Sequence, residues 1–437
     1  MGHGEGGGTG GRARKNSQVI GYRSWVMGPI YDQLPITYHR RSYGFNGFKQ
    51  MNKKISRRDF LKQSGRCALL CASLESAILL THTSQAQALS LKKGYLGRKL
   101  SPFYTSLEGG RVRCELCPHS CEVDEGERGY CEVRENIGGR YYSLVYGNPC
   151  AVHVDPIEKK PFFHVLPTSS SFSIATAGCN FDCKFCQNWE ISQARPDDTH
   201  NYELPPEQAV ELASRYQCQS IASTYVEPTV FTEYMIDIGV LAKQQGLLKV
   251  MHSNGYINAA PLQELGKYLD AACIDLKGFN ESYYRDITEG TLEPVLETLK
   301  RLKGLAIHTE IVTLMVPGKN DDMNQVAAMC RWIKDELGPD VPLHFSRFYP
   351  LYKLKSLPPT PVSTLERARK TALQSGLHFV YIGNVPGHPG EHTDCPKCGT
   401  RLIQRRGYRV EVLHLKKGRC DKCDQPIPGI WDLSKRT

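Results

Sequence analysis

At 437 residues, with 55 Lys and Arg against 45 Asp and Glu, the chain has room for two or three domains and carries a formal net charge of +10. That charge excludes less than it promises: residues 1–88 hold 13 of the basic and 4 of the acidic residues, so the remainder is close to neutral. It has no basic stripe with interleaved aromatics, and nucleic acid is not an expected partner. Of the 17 cysteines, eleven fall in three clusters with metal-ligand spacing and two lie in the leader, so a disulfide framework is not expected either. Cys150, Cys218, Cys273 and Cys330 are left over and read as small buried apolar residues.

In chain order, the Gly-rich segment 1–50 reads as disordered or as lying ahead of the true start, with Met51 the alternative initiator. Residues 51–88 read as an export leader. Ser56-Arg57-Arg58-Asp59-Phe60-Leu61-Lys62 matches the twin-arginine consensus, an apolar run follows over 68–80, and Ala86-Gln87-Ala88 offers a cleavage site. The expectation is export of the folded protein to the periplasm, with retention in the cytoplasm as the alternative. The apolar run is short and broken by Glu75, so no stable membrane span is expected.

Residues 101–150 are rich in Cys, Gly and charge and read as a small metal-stapled lobe. Cys114, Cys117, Cys121 and Cys131 have unequal spacing, which fits zinc or an auxiliary iron–sulfur cluster, and His119 can replace one thiolate. Disulfides are the rival, though Cys-x2-Cys is a tight pair for a strain-free bridge.

Across 165–388 short β-branched runs alternate with amphipathic stretches. The strand runs are 171–176, 220–225, 248–253, 271–277, 307–316, 343–348 and 377–382; the helical patterns include 206–215, 230–245, 292–303, 323–337 and 363–375. Repeating βα units predict an α/β fold, a parallel barrel or partial barrel with its functional residues at the C-terminal strand ends. Directly after the first run comes Gly178-Cys179-Asn-Phe-Asp-Cys183-Lys-Phe185-Cys186-Gln-Asn188. Three thiolates in one loop can cap three irons of a cubane [4Fe–4S] cluster and leave the fourth iron open. A zinc site favours paired knuckles, and a ferredoxin cluster needs a fourth cysteine nearby, for which Cys218 is distant.

Residues 389–432 form a second Cys-rich segment. Cys395-x2-Cys398 and Cys420-x2-Cys423 make a four-thiolate, zinc-ribbon-like pattern with a closed coordination sphere, zinc first and rubredoxin-like iron second.

Over roughly 110–432 the chain resembles the radical S-adenosylmethionine (SAM) proteins of the AmmeMemoRadiSam system, relatives of pyruvate formate-lyase activating enzymes. The resemblance rests on the central triad, on Cys114 to Cys121 with Gly129-Tyr-Cys131, on Tyr225-Val-Glu227-Pro-Thr229 and on Ser253-Asn254-Gly-Tyr256. Asp275-Leu-Lys277, Phe345-Ser-Arg347-Phe-Tyr-Pro350 and Tyr381-Ile-Gly-Asn384-Val carry it further. It implies a partial (β/α)6 barrel, a [4Fe–4S] cluster, SAM, an electron donor, and reductive cleavage of SAM to a 5′-deoxyadenosyl radical that takes a hydrogen from a protein or small-molecule substrate. The alternatives are a glycyl-radical-enzyme activase and, from another class, an iron–sulfur electron carrier. Glu227 is then expected to receive the methionine ammonium group, with a helix cap as its rival role. Ser253 and Asn254 are expected on ribose or carboxylate, against a plain turn. Asp275 and Lys277 share a face at a strand end, where a rim salt bridge is the rival. His344 and Arg347 are expected as donors at another strand end.

Overall fold

The computed structural model describes residues 89–433. The segment 1–50 and the export leader expected at 51–88 lie outside the described residues. Among those described, no helix is long and apolar enough to cross a membrane.

One eight-stranded sheet organises the chain. Its edge strand β1 (Ala151–Pro156) runs antiparallel to β2 (Ser170–Ala175). Six parallel neighbours follow in chain order: β3 (Ser220–Ser223), β4 (Leu248–Ser253), β5 (Ala271–Asp275), β6 (His308–Met315), β7 (Leu343–Arg347) and β8 (Val380–Gly383). The crossovers carry helices α1 (Pro206–Arg215), α2 (Thr232–Gln244), α3 (Ala259–Gly266), α4 (Glu293–Gly304), α5 (Met323–Trp332) and α6 (Val362–Gln374). This is an open partial barrel of six βα units with a seventh parallel strand, one strand for each apolar run of the sequence. α3 escapes the periodicity because it is short and opens on Ala-Ala-Pro.

Strand parity divides two cores. Phe172, Ile174, Ile221, Met251, Ile274, Ile311 and Phe345 face the helices, whereas Leu248, Val250, Ala271, Cys273 and Val312 face inward. The concave face is filled from the β1–β2 connection by Ile157, Phe162, Val165 and Leu166. Successive side chains alternate between faces, so these near-continuous apolar runs serve a sheet covered on both sides.

The N-terminal lobe is two small antiparallel sheets around Val112, Leu116, Val123 and Tyr141. Arg134 anchors it to α2: wholly buried, it bonds Glu233 at 2.9 Å through Nη1 and at 2.5 Å through Nη2, and reaches the Val230 carbonyl at 3.2 Å. The C-terminal lobe stacks Leu402, Ile403, Cys420 and Ile427 on Phe379 and Tyr381 at β8.

Candidate active site at the strand ends

The cysteine loop leaves the C-terminal end of β2 through Gly178. Its φ is +88°, and a Cβ there would lie 2.4 Å from Val133 Cγ1 and 2.7 Å from the Cys131 carbonyl oxygen. Only glycine allows this loop to run against the N-terminal lobe. The loop is held by its own backbone: Cys186 N–H donates to the Cys183 carbonyl and Gly178 N–H to the Ile191 carbonyl, each at 2.9 Å. Phe181 N–H points at Cys179 Sγ at 3.4 Å, and the Ser192 hydroxyl lies 3.3 Å from Cys186 Sγ. Cys183 is buried and Cys179 and Cys186 are half-buried. Burial pushes all three thiols upward, Cys183 to about 12 although Lys277 pulls against it. Such thiols ionise when a cation binds them, and the set fits an iron cluster by its ligand chemistry.

The neighbouring strand ends supply the rest. Glu227 caps the short helical turn Pro228–Phe231. One of its carboxylate oxygens accepts from Thr229 N–H (2.9 Å), the Thr229 hydroxyl (2.7 Å) and the Ser253 hydroxyl (2.7 Å), the other from Asn254 N–H (2.7 Å). Three of the four donors share Oε1, and Oε2 takes one. The cap role holds for Glu227, and Ser253 and the Asn254 backbone turn inward onto it. Tyr225, preceding this cap, takes φ +67°, the left-handed region. The Asn254 amide also donates to the Asn180 side-chain oxygen at 2.8 Å, while Asn180 donates to the Tyr256 carbonyl at 2.8 Å. Ends of β4 and the cysteine loop are thus sewn together.

Asp275 and Lys277 form an ion pair at 2.9 Å, and His252 Nε2 holds the other Asp275 oxygen at 2.9 Å. Burial alone would raise the Asp275 carboxyl, but Lys277 and His252 keep it well below the carboxylate range. Lys277 Nζ stands 5.5 Å from the centre of the Phe185 ring, over the cysteine loop. Arg347, also at this end, donates to the Thr360 carbonyl at 2.8 Å and lies on Tyr349.

His344 does not belong to this constellation. It stands near the start of β7, at the opposite end of the sheet, where its Nε2 meets Glu310 at 2.7 Å. Glu310 also accepts from the Phe163 and His164 backbone N–H groups at 3.1 and 2.8 Å. Burial pushes neighbouring His164 down to about 3. His344 therefore locks the floor of the barrel. Sequence position inside a strand does not reveal this, because a five-residue strand has both ends within a few positions. Conversely, His252 and Asn180 were missed: both lie inside quoted or apolar stretches, and only folding aims them at Asp275 and Asn254.

The C-terminal cysteine set gathers. Cys395, Cys398, Cys420 and Cys423 have ligand atoms within 4.8 Å of one another, with Sγ–Sγ separations of 3.6 Å (Cys395–Cys423) and 3.7 Å (Cys398–Cys420). A tetrahedron with metal–sulfur bonds of about 2.3 Å has edges of about 3.8 Å. The Thr400 hydroxyl and backbone hold Cys398 down at about 6. Cys114, Cys117, Cys121 and Cys131 all line one cavity, together with His119, whose Nε2 is engaged with the Asn180 carbonyl at 2.7 Å.

The model of the radical SAM superfamily matches residues 173–331, from β2 through α5. An uncharacterized protein of Methanocaldococcus jannaschii is 49% identical over 327 residues, covering 74% of this chain and 97% of that one. The chain belongs to the radical SAM superfamily and is an enzyme of that class, for which the family implies a [4Fe–4S] cluster and SAM. The pyruvate formate-lyase-activating enzyme of Clostridium pasteurianum is 23% identical over 167 residues, 36% of this chain and 67% of that one. Among solved structures, a radical SAM methyltransferase from Sphaerobacter thermophilus is 13% identical with a TM-score of 0.40, covering 52% of this chain and 70% of that one.

Proposed function

We propose that the protein is a radical SAM enzyme of the AmmeMemoRadiSam type, with Cys179, Cys183 and Cys186 as the cluster ligands, acting on a protein or small-molecule substrate. When bound, the cluster and SAM supply a 5′-deoxyadenosyl radical for hydrogen abstraction. The chain's own residues hold and shape the site. Glu227, Ser253, Asn254 and Asn180 fix the cysteine loop against β4, and Lys277, paired with Asp275, presents a cation beside Phe185 that favours thiolate and carboxylate charge. Arg347 adds a second cation at the rim. The single observation carrying this reading is that one loop bearing all three thiols leaves the C-terminal end of β2, on the strand-end face where Lys277, Asp275 and Arg347 also lie.

Anaerobically reconstituted protein given SAM and dithionite should release deoxyadenosine, and Cys183→Ala should lose both cluster and cleavage. An iron–sulfur electron carrier would reduce and reoxidise without cleaving SAM. The activase reading draws on the likeness to the C. pasteurianum enzyme; it requires a glycyl radical signal on an added partner protein. Structural zinc at Cys395, Cys398, Cys420 and Cys423 is supported by the tetrahedral sulfur spacing, and Cys420→Ala should release that metal while sparing cleavage. Export by the twin-arginine route is tested by whether replacing Arg57 and Arg58 with Lys keeps the protein in the cytoplasm.

A further inference from the structure

We propose that the N-terminal lobe binds a second iron–sulfur cubane, ligated by all four of Cys114, Cys117, Cys121 and Cys131. Three observations point there. First, the four thiols line one cavity of the lobe. Second, no three ligand atoms of this set lie within 4.8 Å of one another, whereas the C-terminal four do. A single tetrahedral ion needs sulfurs about 3.8 Å apart, while a cubane gives each thiolate its own iron and spreads them.

Third, the cavity contains a donor that lacks an acceptor. Arg134 is wholly buried and lines the cavity, and its Nε has no hydrogen-bond partner although its other nitrogens bond Ser101, Val230 and Glu233. A buried guanidinium nitrogen left unpaired is rare. A cubane with four thiolates has sulfurs that accept hydrogen bonds, so such a cluster answers the orphan donor. The Tyr130 N–H already points at Cys121 Sγ at 3.4 Å. With four protein ligands this cluster has no open iron. It cannot chelate SAM, and the inference stands independently of the chemistry at the central triad.

The test is inorganic sulfide, which neither zinc nor a rubredoxin-type iron contains, measured with iron and low-temperature electron paramagnetic resonance on the anaerobically reconstituted full chain. Cys183→Ala is expected to keep about half of the wild-type sulfide and a reduced-cluster signal that added SAM does not change. Cys117→Ser with Cys121→Ser is expected to keep the other half, with a SAM-sensitive signal. Sulfide absent from Cys183→Ala overturns the proposal, whether the four thiols then hold zinc or titrate as disulfides. Should the double variant not fold, the sulfide of Cys183→Ala alone decides. Deoxyadenosine formation is not part of the readout, so failure of SAM cleavage and failure of this site are separable.

Discussion

The Asn254 side-chain amide donates to the Asn180 side-chain oxygen at 2.8 Å, tying the end of β4 to the residue after Cys179. Both residues are buried. Asn254→Ala strands the Asn180 acceptor and the Tyr256 N–H that Asn254 Oδ1 now receives at 2.9 Å. A loss of about 1–3 kcal/mol is expected in urea unfolding of the metal-free protein. Cluster occupancy after reconstitution should fall with it; unchanged stability and occupancy would remove this pair from the account of the loop.

Gly178→Ala forces a Cβ into Val133 and the Cys131 carbonyl and places alanine at positive φ. Neither neighbour is a flexible chain end, so backbone must move. We expect destabilisation of at least about 2 kcal/mol and loosened packing of the N-terminal lobe, read as faster proteolysis within residues 99–143.

His344→Leu tests the reassignment to the barrel floor. Glu310 keeps His308 at 3.3 Å and two backbone donors, so the loss should be modest, about 1–3 kcal/mol. The rate of deoxyadenosine formation per cluster should equal that of the wild type. A drop in that rate without a drop in stability would return His344 to the active site.

Asp155 sets an acid limb of stability. Burial alone would raise its carboxyl, but Lys160 at 2.5 Å, Lys159 at 2.8 Å and the Tyr225 hydroxyl hold it well below the usual range. At Lys160 burial outweighs the same attraction and moves the ammonium down to about 8; the carboxylate direction is the firmer one, because three donors converge on it. The folded value lies below the unfolded one, so the stabilisation is present above the ordinary Asp value near ~3.9 and is lost as pH falls below it. Asp155→Asn should cost about 1–3 kcal/mol at neutral pH, and the gap from wild type should close in acid. A gap independent of pH would show that the carboxylate charge contributes nothing.

The alternation of apolar runs and amphipathic stretches was enough to state the βα architecture, because a buried parallel strand and its covering helix write their periods into adjacent residues. The three cysteine groups were equally legible: ligands a few residues apart on one loop are near in space whatever the fold does. The sequence by itself thus determined the run of parallel strands and the C-terminal four-thiol set. Only the tertiary structure decided which strand end each polar residue occupies and what it meets there. Glu227 became a cap held by residues from 2 to 27 positions away, Asn180 met Asn254 across 74 positions, and His344 turned to Glu310 beneath the barrel. Those pairings come from strand register and parity, which depend on contacts distant in sequence and leave no local pattern to read.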